Sequence, residues 1–256
     1  MASSKPTIVL IPGAWHTPAP YRPLLEALEA LGHPTISKRL PSVISPDIKD
    51  EDIPSYTLAN DVAFVRENIL LPELEKNDVI LVGHSYGGVV CGAAAHGLGR
   101  GESTAPHSVL GLVYLCALVG ISDKPLLEGP EQLAPWVGYH GNPRLTVPEP
   151  GPTFYELLPD EEKNSATAGV QQHSLTSFLT ESPPQAYTSD AFQGRCVYVR
   201  CHKDLAVPLA VQDMLRSVPG SDNWILEDLE EAGHSPFMTH KKETVAIIEK
   251  HAKQWA

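Results

Sequence analysis

A serine flanked by glycines follows an apolar run in the stretch VILVGHSYGG at residues 79–88. The spacing G-x-S-x-G at 83–87 is typical of a serine on a sharp turn between a strand and a helix. Glycines there have a steric reason, because side chains would hold the strand and the helix apart. The flanking segments VILV and VVCGAAAHGL fit a strand and a closely packed helix. We therefore predict that Ser85 is a catalytic nucleophile rather than an idle serine in a tight turn.

A serine hydroxyl is a weak nucleophile at neutral pH, so Ser85 needs a histidine as general base and an acid that orients the histidine. In chain order, the acid follows a serine turn of this kind, and the histidine follows the acid. Asp204 lies just past the apolar run CVYVRC, and His234 lies in the glycine-containing loop LEEAGHSPF. We predict a triad of Ser85, Asp204 and His234. His202 is less suitable as the base, because it is only two residues from the acid on the same strand end.

Ester cleavage also needs two N–H donors aimed at the oxyanion of the tetrahedral intermediate. We expect one to be the backbone N–H of Tyr86, which directly follows the nucleophile at the start of a helix, where the helix dipole helps. The other should come from the loop IPGAWHTP after the first strand, where Gly13 permits a turn. Ala14 is the first choice for this second donor, and Trp15 is the alternative.

The composition limits the classes of partner. With 19 Lys and Arg against 31 Asp and Glu, the formal net charge is -12, which disfavours nucleic acid and anionic membranes as partners. The N-terminal apolar stretch has no positively charged lead and is too brief to span a bilayer, so we expect a cytoplasmic protein. No metal or organic cofactor is implied. We expect buried, reduced thiols at all four cysteines, which lie in or beside apolar runs without metal-ligand spacing: Cys91, Cys116, Cys196 and Cys201.

The elements that must position these residues alternate between apolar, β-branched runs and helical patterns, which predicts a mostly parallel sheet with helices on both faces. A Pro-rich segment at about 121–186 breaks the alternation and is too long for a structureless loop. We predict that 121–186 is a small helical cap inserted into a core formed by 1–120 and 187–256. The predicted strands are 7–11, 78–82, 108–116, 196–201 and 223–226, with a weaker one at 35–40, and the clearest helices are 21–31, 58–69 and the C-terminal segment.

Aromatic residues of the predicted cap could form the walls of a substrate pocket and exclude water. We expect this pocket to be apolar and modest in size. The alternative is that most of these rings form the small core of the cap, and a surface or capping role is equally open for His173. The candidate substrate contacts are Trp15 from the first loop and Trp136, Tyr139, His140, Phe154, Tyr155, His173 and Phe178.

Four motifs together resemble the α/β-hydrolase superfamily over essentially the whole chain: PGAWH, GHSYGG, KDLAVP and AGHSPF. More narrowly, the chain looks like the small esterase branch of plant methylesterases, hydroxynitrile lyases and microbial relatives. It departs from that branch at Pro12, where the branch usually has histidine. The hydroxynitrile lyases carry a lysine directly after the catalytic histidine, whereas this chain has Ser235. The resemblance therefore disfavours a cyanohydrin lyase.

The motifs and the resemblance together imply a serine carboxylic-ester hydrolase. We expect it to cleave a small ester or lactone with an apolar or aromatic portion through an acyl-enzyme. Two alternatives stay open at this point. One is a lyase, or an enzyme that cleaves or transfers C–C bonds, at the same site. The other is a non-catalytic receptor for a small ligand. We expect a monomer or a homodimer.

Overall fold

The computed structural model describes residues 5–45, 47–49, 55–139, 141 and 143–256. The predicted His140 contact lies outside these described residues. A parallel sheet of six strands runs in the order β10-β9-β5-β4-β1-β2, and a small antiparallel sheet has the order β3-β8-β7-β6. The strands are β1 (Thr7–Ile11), β2 (Thr35–Ile36), β3 (Val43–Ile44), β4 (Val79–His84), β5 (Val109–Leu115), β6 (Gly138–Tyr139), β7 (Arg144–Thr146), β8 (Gln172–Ser174), β9 (Cys196–Cys201) and β10 (Ile225–Leu229).

Helices cover both faces of the six-stranded sheet. The helices are α1 (Arg22–Ala30), α2 (Leu58–Val65), α3 (Leu71–Leu74), α4 (Gly87–Ala94), α5 (Pro150–Phe154), α6 (Asp160–Ala168), α7 (Thr176–Leu179), α8 (Leu209–Leu215), α9 (Pro236–Thr239) and α10 (Lys241–Trp255). Within the described residues, no helix has the length and apolarity needed to span a membrane.

Alternating residues of each strand supply two separate cores. In β1, Ile8 and Leu10 pack with α1 and α10, whereas Val9 and Ile11 pack with α2 and α4 on the opposite face. This alternation follows from the pleat, which sends successive side chains to opposite faces. The predicted parallel sheet with helices on both faces is therefore confirmed. The four cysteines are buried and carry no disulfide.

Several element boundaries differ from the sequence prediction. The helix predicted at 58–69 changes after Val65 into a π-helical turn over Arg66–Leu70. The weak strand predicted at 35–40 pairs with β1 only over Thr35–Ile36. The last strand begins at Ile225, because Trp224 N–H closes a turn onto the carbonyl of residue 221. A hydrophobic pattern marks such an element, but hydrogen bonds set its ends.

The inserted segment holds short helices and also strands that the sequence interpretation did not include. Strands β6, β7 and β8 form the small antiparallel sheet with β3, which comes from outside the segment. Each of these strands has two or three residues, too few for an alternating pattern to be visible in the sequence. We use the word cap for residues 121–186, and the division at these boundaries stays a prediction.

Candidate active site

Ser85 occupies a strained turn between β4 and α4. Its φ angle is +51°, a left-handed value that is uncommon for a residue with a side chain. The glycines allow the close approach of strand and helix. A Cβ at Gly83 would lie 2.6 Å from the carbonyl oxygen of Gly87, and a Cβ at Gly87 would collide with the carbonyl oxygen of Ile11. The turn places Ser85 at the carboxyl end of a central strand, at the edge of a cavity.

His234 and Asp204 form a buried hydrogen-bonded pair. Nδ1 of His234 donates to Asp204 Oδ2 at 2.9 Å, and both side chains are buried. The backbone N–H groups of Ala206 and Val207 both donate to Asp204 Oδ1 at 2.8 Å. Three donors thus orient the carboxylate. With the proton on Nδ1, the Nε2 atom of His234 is left as a proton acceptor.

The His234 ring lies beside the turn that holds Ser85. Its centroid is 4.7 Å from that of His84, the residue directly before Ser85. Within the described residues, hydrogen bonds to His234 use Nδ1, the backbone N–H and the carbonyl, and none joins Nε2 to the Ser85 hydroxyl. Such catalytic hydrogen bonds often tighten only when substrate binds.

Two residues of the cap contact His234 directly. The Phe154 ring stacks on the His234 ring with a centroid distance of 5.4 Å. Oε1 of Glu156 accepts a hydrogen bond of 3.3 Å from the His234 backbone N–H. Burial raises the pKa of Glu156 above its ordinary value, opposed in part by its hydrogen bonds. The cap therefore supports the loop that holds the histidine.

Free backbone donors lie next to Ser85. The N–H groups of Ala14 and Tyr86 belong to buried residues that border the cavity, and neither has a hydrogen-bond partner in the part of the chain that the structure describes. The same holds for the N–H of Trp15. Its φ of +63° arises in a turn that the His16 N–H closes onto the Gly13 carbonyl at 3.2 Å. Unpaired buried N–H groups are rare, so this cluster points to an acceptor supplied by a ligand.

A cavity of about 840 Å³ opens beside Ser85. Its walls are almost wholly apolar, without a charged side chain among the described lining residues. They come mainly from residues 126–127, 132–137, 205–208, 211 and 214–215. Ligand pockets typically span about 300–1,000 Å³. The cavity is thus apolar, as expected, but larger than the modest pocket that the sequence suggested.

The candidate substrate contacts take different places. Trp15, Trp136 and Phe178 line the cavity. The Phe154 ring lies between those of Trp136 and His234 and is not part of the lining. Tyr139 is 39% exposed on β6, away from the cavity.

The other two candidates are buried and hydrogen-bonded inside the protein. The Tyr155 hydroxyl lies 3.0 Å from Nε2 of His16, and the His173 Nε2 lies 3.0 Å from the Ser177 hydroxyl. Burial lowers the pKa of His16 to about 4 and that of His173 to about 3, so both imidazoles are neutral near pH 7. His173 packs against the rings of Trp15 and Tyr86.

One cluster has the residue types of a metal site. Ligand-capable atoms of His84, Cys116 and His234 lie within 4.8 Å of one another. Both ring nitrogens of His84 are already engaged, by the Tyr21 hydroxyl and by the His234 carbonyl. Burial raises the pKa of the Cys116 thiol, which keeps it protonated, and a thiolate is the form that binds metals. Protein hydrogen bonds therefore account for this cluster.

The alignment with known proteins extends over nearly the whole chain. A model described as "Alpha/beta hydrolase family" matches residues 8–247. The chain belongs to the alpha/beta hydrolase family.

Three similar proteins illustrate this membership. The alpha/beta hydrolase nvfD of Aspergillus novofumigatus is 27% identical over 95% of each chain. The structure of a pyrethroid hydrolase from Sphingobium faniae matches with a TM-score of 0.75 and 21% identity over 97% of each chain. The methylesterase MES16 from Arabidopsis matches with a TM-score of 0.70 and 18% identity, over 96% of this chain and 99% of its own. At such identities the two structures show a common fold, and the methylesterase agrees with the branch that the motifs resemble.

Proposed function

We propose that this protein is a serine hydrolase that cleaves a carboxylic ester or lactone of an uncharged, largely apolar molecule through an acyl-enzyme. One observation carries the proposal. Ser85, in its strained turn, borders an apolar cavity together with the unpaired N–H groups of Ala14 and Tyr86. The adjacent His234 is oriented by Asp204. An activated nucleophile and free donors at one edge of a dry cavity are what acyl transfer requires.

In the proposed reaction, Nε2 of His234 takes the proton of Ser85 as Oγ attacks the carbonyl carbon. The N–H groups of Ala14 and Tyr86 stabilise the oxyanion that forms. His234 then gives the proton to the leaving oxygen as the C–O bond breaks, which leaves an acyl-enzyme. Water, deprotonated by His234, attacks the acyl carbon, and the acid leaves as Ser85 regains its proton.

The cavity wall narrows the substrate class. The absence of charged side chains among the described lining residues disfavours a substrate with a polyanionic carrier such as coenzyme A, since a buried charge needs a partner. The volume of about 840 Å³ admits a bulky or long apolar group. A pyrethroid hydrolase and a methylesterase share this fold, and their names are consistent with esters as substrates. We also propose that the cap at 121–186 forms the lid of this cavity.

The test is covalent labelling with a fluorophosphonate probe, combined with turnover of nitrophenyl esters. We expect rapid labelling of wild type, and loss of labelling and of turnover in Ser85→Ala and His234→Ala. Ser221→Ala is a matched control, because Ser221 is also 9% exposed but its hydroxyl donates to the Val218 carbonyl, away from the cavity. Hydrolysis in ¹⁸O-labelled water should place one labelled oxygen in the product acid.

The outcomes separate the alternatives. A folded wild type that neither labels nor hydrolyses esters would overturn the proposal and favour a receptor for a small ligand. Labelling without incorporation of solvent oxygen into an acid would instead favour a lyase or transferase reaction at the same site.

A further inference from the structure

The hydroxyl of Tyr21 lies between two loops of the proposed active site. It accepts a hydrogen bond of 3.0 Å from the backbone N–H of Gly13, and it lies 2.7 Å from Nδ1 of His84. The other ring nitrogen of His84, Nε2, lies 2.8 Å from the backbone carbonyl of His234. Two side chains thus connect three segments that are far apart in the sequence.

The directions of these hydrogen bonds follow from the chemistry of the groups. The His234 carbonyl can only accept, so Nε2 of His84 must carry a proton. Burial, with His234 and His16 nearby, lowers the pKa of His84 well below its ordinary value, so the imidazole is neutral and Nδ1 is an acceptor. The Tyr21 hydroxyl therefore donates to Nδ1 of His84 while it accepts from the Gly13 N–H. Each group has a partner, in one consistent direction.

Each end of this connection is next to a proposed catalytic group. Gly13 precedes Ala14, a proposed oxyanion donor, and His84 precedes the nucleophile Ser85. The third segment ends on His234, the proposed base. Tyr21 and His84 are buried and do not line the cavity, so neither is in place to touch substrate.

We propose that Tyr21 and His84 are positioning residues. They fix three segments relative to one another: the loop with Gly13 and Ala14, the turn at Ser85 and the loop with His234. The inference rests on the proposed function for its catalytic meaning. The Phe237 ring holds both side chains in place, with centroid distances of 4.2 Å to Tyr21 and 5.0 Å to His84. A buried, fully satisfied hydrogen-bond network of this kind rigidifies the groups that it joins.

Tyr21→Phe is the direct test, since it keeps the ring on Phe237 and removes only the hydroxyl. The Gly13 N–H and His84 Nδ1 then lose their partner. A misplacement of about 1 Å at a reacting group can cost roughly 100-fold in rate. We expect kcat to fall by about 10- to 100-fold, with KM within about 2-fold, because the substrate cavity is unchanged.

Tyr187→Phe is the matched control for a merely structural effect. The Tyr187 hydroxyl is also buried and donates one hydrogen bond of 2.8 Å, to the Gly120 carbonyl, outside the proposed site. Both variants should lower the melting temperature, but only Tyr21→Phe should lower kcat. Equal losses of kcat in the two variants would overturn the positioning role.

Two substitutions of His84 distinguish its hydrogen bond with Tyr21 from its hydrogen bond to the His234 carbonyl. The amide nitrogen of glutamine matches Nε2 of histidine in its distance along the side chain, whereas that of asparagine matches Nδ1. His84→Gln can therefore still donate to the His234 carbonyl, and His84→Asn cannot. We expect His84→Gln to retain more kcat than His84→Asn, and the reverse order would contradict the proposed link to the histidine loop.

A measurement independent of turnover keeps this inference separable from the proposed function. In ¹⁵N-histidine NMR, the His84 signal, assigned by its absence in His84→Gln, should show a neutral Nε2–H tautomer between about pH 5 and pH 9, where imidazole normally titrates. Tyr21→Phe should keep this tautomer, which the His234 carbonyl fixes, but shift the Nδ1 resonance, because Nδ1 loses the hydrogen bond from the tyrosine hydroxyl.

The combinations of results are decisive. A wild type that hydrolyses no ester, but shows this tautomer and the shift of the Nδ1 resonance in Tyr21→Phe, would overturn the proposed function and leave the connection intact. An active wild type with unchanged kcat in Tyr21→Phe, or a His84 that titrates in this range, would overturn the connection.

Discussion

The hydroxyl of Tyr86 donates a hydrogen bond of 2.8 Å to Oδ2 of Asp61, which connects the turn at Ser85 to helix α2. The same carboxyl accepts from the backbone N–H of Ser42 at 2.9 Å and from the Ser42 hydroxyl. Asp61 is buried, and burial raises its pKa to about 6 despite these hydrogen bonds, which lower it. Folding therefore favours the protonated form of Asp61, the carboxyl that accepts the hydrogen bond from Tyr86.

This preference predicts a loss of stability with rising pH. The folded pKa of Asp61 lies above its ordinary value, so its contribution to the free energy of unfolding is fully present below about pH 4 and is lost as pH rises through about 6. Asp61→Asn removes this titration. We expect the stability of wild type relative to Asp61→Asn to fall by up to about 3 kcal/mol between pH 4 and pH 7, as measured by urea unfolding.

Asp228 is a control whose pKa is shifted in the opposite direction. Hydrogen bonds from Arg200 lower its pKa, so its contribution is present at neutral pH and is lost only as pH falls below its ordinary value. Wild type relative to Asp228→Asn should show no such decline between pH 4 and pH 7. If the stability of wild type relative to Asp61→Asn also stayed constant between pH 4 and pH 7, the prediction would be refuted.

Asp204→Asn should inactivate the enzyme without unfolding it. Oδ1 of asparagine can still accept from the N–H groups of Ala206 and Val207, but its amide nitrogen now faces His234 Nδ1. This favours the tautomer with the proton on Nε2, which cannot accept the proton of Ser85. We expect kcat for nitrophenyl esters to fall by about 10³- to 10⁴-fold.

The control for Asp204→Asn is a carboxyl outside the site. Asp228→Asn removes a carboxylate bound to Arg200 and His202 on the surface, and should leave kcat unchanged. Less than a tenfold loss in Asp204→Asn would mean that another group orients His234.

Filling the cavity should change the preference for acyl length. Ala134 lines the cavity, and Ala134→Trp would place an indole ring in it. We expect kcat/KM for a decanoate ester to fall by about 10-fold or more, with little change for an acetate ester, because only the long chain needs the filled volume. Ala134→Ser adds a single oxygen and should keep the profile of wild type. A uniform loss on both esters in Ala134→Trp would argue against an acyl site in this cavity.

The rim of the cavity should attract apolar substrates. Met214 and Leu205 line the cavity and are nonetheless 65% and 59% exposed. Met214→Glu would place a charge at this rim, so we expect KM for long esters to rise by roughly 3- to 10-fold through lost apolar contact. Leu71→Glu puts the same charge on an exposed helical leucine outside the cavity lining and should leave KM as in wild type. Equal effects of the two variants would exclude a role of the rim.

Local signals in the sequence predicted the fold and the sharp turn at Ser85. The G-x-S-x-G spacing has a steric reason, and the structure shows it. Ser85 has a left-handed φ, and a Cβ at Gly83 would clash with the carbonyl oxygen of Gly87. Strands of five to seven residues, such as β1 and β5, are visible in the sequence as apolar runs. These runs led to a correct prediction of the parallel sheet. The short strands of the cap did not, since two or three residues cannot display a period.

The sequence by itself determined the longer strands and helices, because side-chain size and periodicity act between near neighbours. Tertiary structure decided which distant groups meet. The hydroxyl of Tyr21 reaches His84 across 63 positions, and His84 reaches His234 across 150. Tertiary structure also decided that the side chains of Tyr155 and His173 form hydrogen bonds with other buried side chains, whereas Phe178 lines the cavity. No local pattern encodes such pairs, since they depend on how the packed elements bring remote residues together.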